Sequence, residues 1–222
     1  MPDEIPIDER LRVSEIYTSV QGESTHAGRP CVFVRLTGCN LRCSWCDSAF
    51  TFTGGERRSI DAVVDEALSH GIGLVEVTGG EPLLQRQCLV LLQRLVDRGA
   101  EVLLETSGSI STEGVPAEVR VILDLKAPDS GEADSNDLGN IPRLRPHDEV
   151  KFVLASRRDF DWAVAFVRAH DLGQRVTAVL FSPVWGALEP ATLVEWLLSS
   201  GVPARLGLQI HKVIWDPEDR GV

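Results

Sequence analysis

The chain has 222 residues, enough for a substantial core, and is read as a single domain over 1–222. Its 22 basic and 33 acidic side chains leave a net charge of −11, which opposes non-specific association with nucleic acid or an anionic membrane. No apolar run reaches membrane-spanning length, and Met1-Pro2-Asp3-Glu4-Ile5-Pro6 lacks a signal-peptide pattern. Five cysteines, three of them packed together, fit a reducing compartment, so a soluble cytoplasmic protein is expected.

In chain order, the pattern predicts a strand over 32–36 and a helix over Ile60–Ser69, capped by Ser59 and stopped at Gly71. A strand over 74–77 and a helix over 83–98, stopped at Gly99, come next. Strands follow over 101–105, 120–123 and 150–154, then a helix over 157–170. A strand over 176–181, a helix over 190–199 stopped at Gly201, and a strand over 206–210 complete the series. The alternation suggests an α/β fold with parallel strands and crossover helices. The run from Pro128 to Asp137 breaks this rhythm, being acidic and turn-rich, and reads as a mobile loop, either a substrate lid or a solvated connection.

Cys39, Cys43 and Cys46 form a CxxxCxxC run with no fourth cysteine or histidine close by. Three thiolates at this spacing can hold three irons of a four-iron four-sulfur cluster and leave the fourth open to a ligand. The alternatives are a metal site closed by a distant ligand and unligated thiols, since structural zinc normally takes four protein ligands. Cys31 and Cys88 lie in apolar runs and read as small buried hydrophobes. Lysine occurs only at Lys126, Lys151 and Lys212, each near the end of a strand-like run, which suits a local role or a solvated charge.

The strand over 74–77 runs into Thr78-Gly79-Gly80-Glu81-Pro82, where paired glycines let the backbone approach a ligand. Combined with the cysteine loop, this resembles the radical S-adenosylmethionine superfamily. Further segments are Gln21-Gly22-Glu23, the stretch from Phe33 through Arg35 to Cys39, Glu105-Thr106-Ser107-Gly108, Asp124-Leu125-Lys126, Ser182-Pro183-Val184 and the stretch from Leu208 to Trp215. With these the chain resembles the 7-carboxy-7-deazaguanine synthase (QueE) family, which makes the deazapurine core of queuosine and related nucleosides.

That resemblance implies a partial parallel β/α barrel, with some crossover helices short or missing and the ligands at the C-terminal strand ends. It implies a four-iron four-sulfur cluster on Cys39, Cys43 and Cys46, and S-adenosylmethionine cleaved by one electron to a 5′-deoxyadenosyl radical. In the family, hydrogen is taken from C6 of 6-carboxy-5,6,7,8-tetrahydropterin, and ring contraction with loss of ammonia gives 7-carboxy-7-deazaguanine. S-adenosylmethionine contacts are implied at Trp45, Cys46, Asp47, Gly80, Asp124, Lys126, Ser182, Pro183, Val184 and Trp185. Substrate contacts are implied at Val20, Gln21, Gly22, Arg35, Thr78, Glu105 and Val222, the last through the chain-end carboxylate.

Arg35 suits a carboxylate because its planar fork gives two parallel hydrogen bonds. Gln21 suits an amide-like ring edge, and Glu105 the guanidine-like part of the pterin. Magnesium is implied at Ser48, where the family usually has threonine, although Ser48 also suits an N-cap. A homodimer and an electron donor such as flavodoxin are implied as partners, with no nucleic acid or membrane. Ser107, where asparagine is common, and Asp124, where serine occurs, depart from the family pattern. The competing readings are another radical S-adenosylmethionine enzyme such as a glycyl-radical activase, an iron-sulfur electron carrier, and a zinc-stabilised interaction domain.

Overall fold

The computed structural model describes residues 9–217 and 219–222; the Met1–Pro6 stretch and Glu218 lie outside the described residues. Nine strands form one open sheet in the order β3-β1-β2-β4-β5-β6-β7-β8-β9. They are β1 (Arg10–Val20), β2 (Pro30–Leu36), β3 (Glu56–Ser59), β4 (Leu74–Gly79), β5 (Glu101–Thr106), β6 (Arg120–Asp124), β7 (Glu149–Leu154), β8 (Ala178–Pro183) and β9 (Arg205–Leu206). Strands β2 and β4 to β9 are parallel, whereas β1 pairs antiparallel with both β2 and β3. The helices are α1 (Ile60–Ser69), α2 (Cys88–Asp97), α3 (Arg157–Ala169), α4 (Leu172–Arg175), α5 (Pro190–Ser200) and α6 (His211–Ile214). An α-helix of ten or more residues crosses over between β2 and β4, β4 and β5, β7 and β8, and β8 and β9, while β5 to β7 are joined without one, as the partial-barrel expectation requires.

Alternation along the parallel strands sorts side chains onto two faces. Val34, Val75, Val77, Leu104, Leu123 and Phe152 face the helices and pack against Val63, Leu91, Leu95 and Phe160 in the main core. Their sequence neighbours face the concave side. At its N-terminal end that side is closed by an apolar cluster of Cys31, Phe33, Leu74, Leu103 and Ile122. Toward the C-terminal strand ends it turns polar, with Arg35, Glu76, Thr78, Glu105, Asp124 and Lys151 lining one cavity.

Strands β1 and β3 were not expected. In β1, Leu11 and Val13 join the helix-side core, the pairing slips between Val13 and Glu15, and thereafter Ile16 packs on that core. This bulge inverts the alternation and turns Glu15 and Tyr17 into the cavity. A broken period of two conceals the strand from a pattern search.

Three other expectations need correction. The helix over 83–98 is a 3₁₀ turn, Pro82–Leu84, followed by α2, because Gln85 is extended and its side chain serves two strands. Its Oε1 accepts from the Arg12 amide at 2.8 Å, and its Nε2 donates to the Arg12 and Thr37 carbonyls at 2.9 Å. The strand over 206–210 ends at Leu206. A side chain at Gly207 would meet Ser182 Oγ at 2.6 Å, so the backbone lies tight against β8 there before the chain turns so that the Ile210 amide donates to the Gly22 carbonyl. The run from Pro128 to Asp137 is not a loose lid but a series of 3₁₀ turns tied to its surroundings: the Asp129 amide donates to Asp159 Oδ1 at 2.8 Å, and Asn136 bridges the Lys126 amide and carbonyl at 2.9 Å.

The helix-side core holds an aromatic group in which the ring of Phe160 sits 5.7 Å from Phe181 and 5.5 Å from Trp196. Phe160→Ala is expected to cost about 3–5 kcal/mol of stability. Urea unfolding followed by circular dichroism measures it, with ligand binding unchanged in the folded fraction because the ring lies on the face opposite the cavity.

Candidate active site

The cavity at the C-terminal strand ends has a volume of about 530 Å³. Cys39, Cys43 and Cys46 line it, and Cys31 and Cys88 do not. Both of those are fully buried, Cys31 in the apolar floor and Cys88 in the helix-side core, and burial pushes their thiols well up. Neither is a fourth ligand. Burial also raises the Cys39 and Cys43 thiols, so ligation would expel their protons.

The Gly79-Gly80-Glu81 turn supports the cysteine loop from below. A side chain at Gly80 would meet Cys39 Cβ and the Gly38 carbonyl oxygen, each at 2.6 Å, so only glycine lets the two segments touch. Glu81, fully buried, anchors this turn to the end of β5 by accepting from Thr106 Oγ1 at 2.9 Å and from the Ser107 amide and hydroxyl at 2.8 and 2.6 Å. Ser107, one of the departures from the family pattern, is thus committed to Glu81.

Around Lys151 lies an ionic cluster that the sequence reading missed. The ammonium donates to Glu23 Oε2 at 2.6 Å, to Glu105, and stands 3.4 Å from Asp124 Oδ2. Burial alone would lower it, but Glu105, Glu23 and Asp124 hold it well above the ordinary lysine value. Burial would raise Glu23, yet Lys151 and the amide of Gln209, 2.8 Å away, hold it low. Lys126 pairs with the same Asp124 oxygen at 3.0 Å. Asp124 Oδ1 is buried without a hydrogen-bond partner among the described residues, and Asp124 lines the cavity. Lys126 and Lys151 are thus set among three carboxylates, Glu23, Glu105 and Asp124.

Glu76 is the carboxylate left without a cation. It is 1 % exposed, accepts from Gln21 Nε2 at 3.0 Å and shares a hydrogen bond with Glu105. Burial, then the charge of Glu105, raises it well above the usual carboxylate range. Two carboxyl groups in contact compete for the charged state, and the ionised form of Glu76 is disfavoured here, first by its burial and then by Glu105.

Arg35 is fixed along one edge. Its Nε donates to Glu15 Oε1 at 2.8 Å and its Nη2 to the Tyr17 hydroxyl at 2.7 Å, while Tyr17 stacks on Phe33. Its Nη1 has no hydrogen-bond partner among the described residues. The terminal edge of the fork thus stays available for an anion. Asp47 is tied to Lys212 of α6 at 2.7 Å; burial opposes its ionisation, but Lys212 holds the carboxyl down to about 2. Ser48 stands at the start of the 3₁₀ turn Ala49–Phe52 without capping it and donates instead to Asp47 Oδ1 at 3.0 Å.

Of the other expected residues, Val20, Gln21, Gly22, Trp45, Thr78, Val184, Trp185 and Val222 line the same cavity. Gly22 leaves room for the ring of His211, whose Nδ1 an added Cβ would meet at 2.1 Å. Burial lowers His211, disfavouring its charged form. Ser182 and Pro183 do not line the cavity; both are buried in β8, and the Ser182 hydroxyl lies against Gly207. Besides Lys151, the residues that sequence reasoning missed are Glu15, Tyr17 and Glu76, and for Glu76 the one available signal was a carboxylate inside an apolar strand.

Lys151→Met would leave Glu23, Glu105 and Asp124 without their common cation and is expected to cost about 3–5 kcal/mol. Glu76→Gln should fold, because the amide has nearly the shape of the carboxyl group and brings no charge into a site where burial disfavours one. A raised carboxyl pKa gives stability that is complete below the unfolded value and is lost as pH rises toward the folded one. Urea unfolding at about pH 5 and about pH 8 should therefore show Glu76→Gln gaining on the parent as pH increases.

A family model described as the radical SAM superfamily matches residues 33–184. The chain is 47% identical to the 7-carboxy-7-deazaguanine synthase of Koribacter versatilis, over 96% of this chain and 100% of that one. It is 42% identical to the protein of that name from Chlorobaculum tepidum, over 96% and 97% of the two chains. Among solved structures, QueE from Escherichia coli superposes with a TM-score of 0.75 over 90% of this chain and 94% of that one, at 22% identity, and so shares the fold. With a superfamily match through the core strands and near-full-length relatives at these identities, the chain belongs to the 7-carboxy-7-deazaguanine synthase family of the radical S-adenosylmethionine superfamily.

Proposed function

We propose that this chain converts 6-carboxy-5,6,7,8-tetrahydropterin to 7-carboxy-7-deazaguanine and ammonia, in 7-deazapurine biosynthesis. The observation that carries the reading is the meeting, in one cavity, of a three-cysteine loop and an arginine whose terminal edge is kept free by Glu15 and Tyr17. The donor set fits a cluster with one open iron: three thiols line the cavity, and the Gly80 contact holds the loop against the end of β4. Family membership implies that cluster and S-adenosylmethionine, which when bound supply one-electron cleavage and hydrogen-atom abstraction.

Every other role belongs to the chain's own residues. Arg35 grips the substrate carboxylate, and Glu105 and Gln21, with Val20, Gly22 and Thr78 beside them, meet the polar ring edge. Lys151 keeps Glu105 in place. The backbone at Gly80, the unpartnered oxygen of Asp124, Lys126, the Trp45-Cys46-Asp47 run, and Val184 and Trp185 form the S-adenosylmethionine side. Ser182 and Pro183 act behind this wall by shaping β8, and Val222 faces the substrate from the last described segment.

Ser48, with the adjacent Asp47 oxygen, offers the hard oxygen donors that Mg²⁺ prefers. A homodimer, a flavodoxin-like electron donor, a cytoplasmic location and one radical S-adenosylmethionine domain over 1–222 complete the reading. In support of the last two, no helix among the described residues is long and apolar enough to cross a membrane, and one sheet spans Arg10 to Leu206.

Anaerobically reconstituted protein should release 7-carboxy-7-deazaguanine from the carboxytetrahydropterin in the presence of S-adenosylmethionine. Alanine at Cys39, Cys43 or Cys46 should abolish both cluster signal and turnover, and Cys31→Ala and Cys88→Ala should keep them. A fully loaded, active Cys43→Ala protein would sink the assignment. Arg35→Lys retains charge but not the fork, and is expected to weaken pterin binding roughly tenfold or more while S-adenosylmethionine binding is unchanged. Calorimetric titration with each ligand separately checks this, and equal losses for both would remove Arg35 from the substrate.

A further inference from the structure

The peptide between Cys39 and Cys46 is fastened from outside. The Arg42 amide donates to Glu132 Oε1 at 2.6 Å. Ser44 donates its amide to the Ser130 carbonyl at 3.0 Å and its hydroxyl to the Asp129 and Ser130 carbonyls at 3.1 Å. Glu132 is itself immobilised: its Oε2 accepts from Ser135 Oγ at 2.9 Å, and its amide donates to Ser130 Oγ at 3.1 Å. The carboxylate thus sits in one orientation, one peptide unit from Cys43. The nearby guanidinium of Arg42 does not neutralise it. That group donates to the Cys39 and Leu41 carbonyls at 3.0 and 2.6 Å and lies over the Phe52 ring, 4.1 Å from its centroid.

We propose that Glu132 is a positioning residue of the cluster site: it fixes the Arg42-Cys43 backbone for ligation and sets a permanent negative charge beside the cluster that lowers its reduction potential. This rests on the reading of a four-iron cluster at Cys39, Cys43 and Cys46. One-electron reduction by an external low-potential donor adds negative charge to a group already bound by three thiolates, and a fixed neighbouring carboxylate opposes it. Net charge and hydrogen bonding around the ligands are the protein's means of setting such potentials. The turn-rich run Pro128–Ser135, which composition alone marks as a solvated loop, thereby becomes part of the machinery. The acidic side chain that reaches the cysteine loop is Glu132, and the turns present that carboxylate and the Ser130 carbonyl to the loop.

Two substitutions separate the roles. Glu132→Gln keeps a carbonyl acceptor for the Arg42 amide and removes the charge; Glu132→Ala removes both. In the reconstituted full chain, Glu132→Gln is expected to match the parent in iron and sulfide content, while its midpoint, titrated anaerobically by electron paramagnetic resonance, moves to a more positive potential. Glu132→Ala is expected to lose iron to a chelator faster than the parent. In its cluster-free form the Arg42 amide should exchange with deuterium roughly tenfold faster, the factor that one hydrogen bond to a charged group is worth. An unmoved midpoint in Glu132→Gln, or failure of that variant to load, overturns the tuning role. Parent-like iron retention and Arg42 protection in Glu132→Ala overturn the positioning role. If the parent itself holds no cluster, the cluster reading fails instead, and the exchange measurement still decides whether Glu132 orders the loop.

Discussion

The ammonium of Lys151 is the interaction on which the rest of this cavity depends. It is 3 % exposed on β7, and it joins Glu23 from the loop after β1, Glu105 from β5 and Asp124 from β6. A buried charge is tolerated only when paired and hydrogen-bonded, so each partner is held where the cation needs it. That requirement brings the Gln21-Gly22-Glu23 segment into the barrel mouth. It also orders the end of the chain, because Gln209 reaches Glu23 and the Ile210 amide reaches the Gly22 carbonyl. Deep burial, and then the charge of Glu105, disfavour the ionised form of Glu76.

The cysteine loop follows a different rule. Its order is imposed by hydrogen bonds and close packing from three neighbours: the Gly80 turn, Ser109 after β5, and the 3₁₀ run after β6. Each of these lies at the C-terminal end of a parallel strand, where crossover connections are free to vary without disturbing the core. The polar inner wall and the ligand loop therefore share a scaffold but not a mechanism of stabilisation. Charge pairing holds the first, and hydrogen bonds, several of them to the loop's own main-chain amides, hold the second. Arg35 stands where the two meet, with Glu15 and Tyr17 taking one edge of its fork and leaving the other to a ligand.

Much of this was legible in the residue order. Parallel strands buried between helices and a filled interior are dense in branched apolar residues, so β2, β4, β5, β6 and β7 announce themselves. Helix α1 declares its limits through the Ser59 cap, whose hydroxyl accepts from the Ala62 amide at 3.2 Å, and through Gly71 at φ 70°. Strand β1 stayed hidden because its bulge reverses the alternation halfway along. Acidity and turn residues in the run from Pro128 to Asp137 suggest solvation, but its carbonyls and Glu132 are committed to the cysteine loop, and composition does not record who accepts a hydrogen bond from whom.

The sequence by itself determined the chemistry: three cysteines at ligand spacing, an arginine on the strand just before them, a glycine pair after a later strand, and a family resemblance that near-full-length relatives support. Those are local facts, carried by spacing along the chain. Only the tertiary structure decided that Lys151 is a buried hub, that Glu76 is buried against Glu105 where its ionisation is disfavoured, that Glu15 and Tyr17 orient Arg35, and that Ser182 and Pro183 stand behind the cavity wall. Protonation state and side-chain direction depend on which charges converge from distant strands and on how much water remains between them, and both are set when the sheet curves and closes the space.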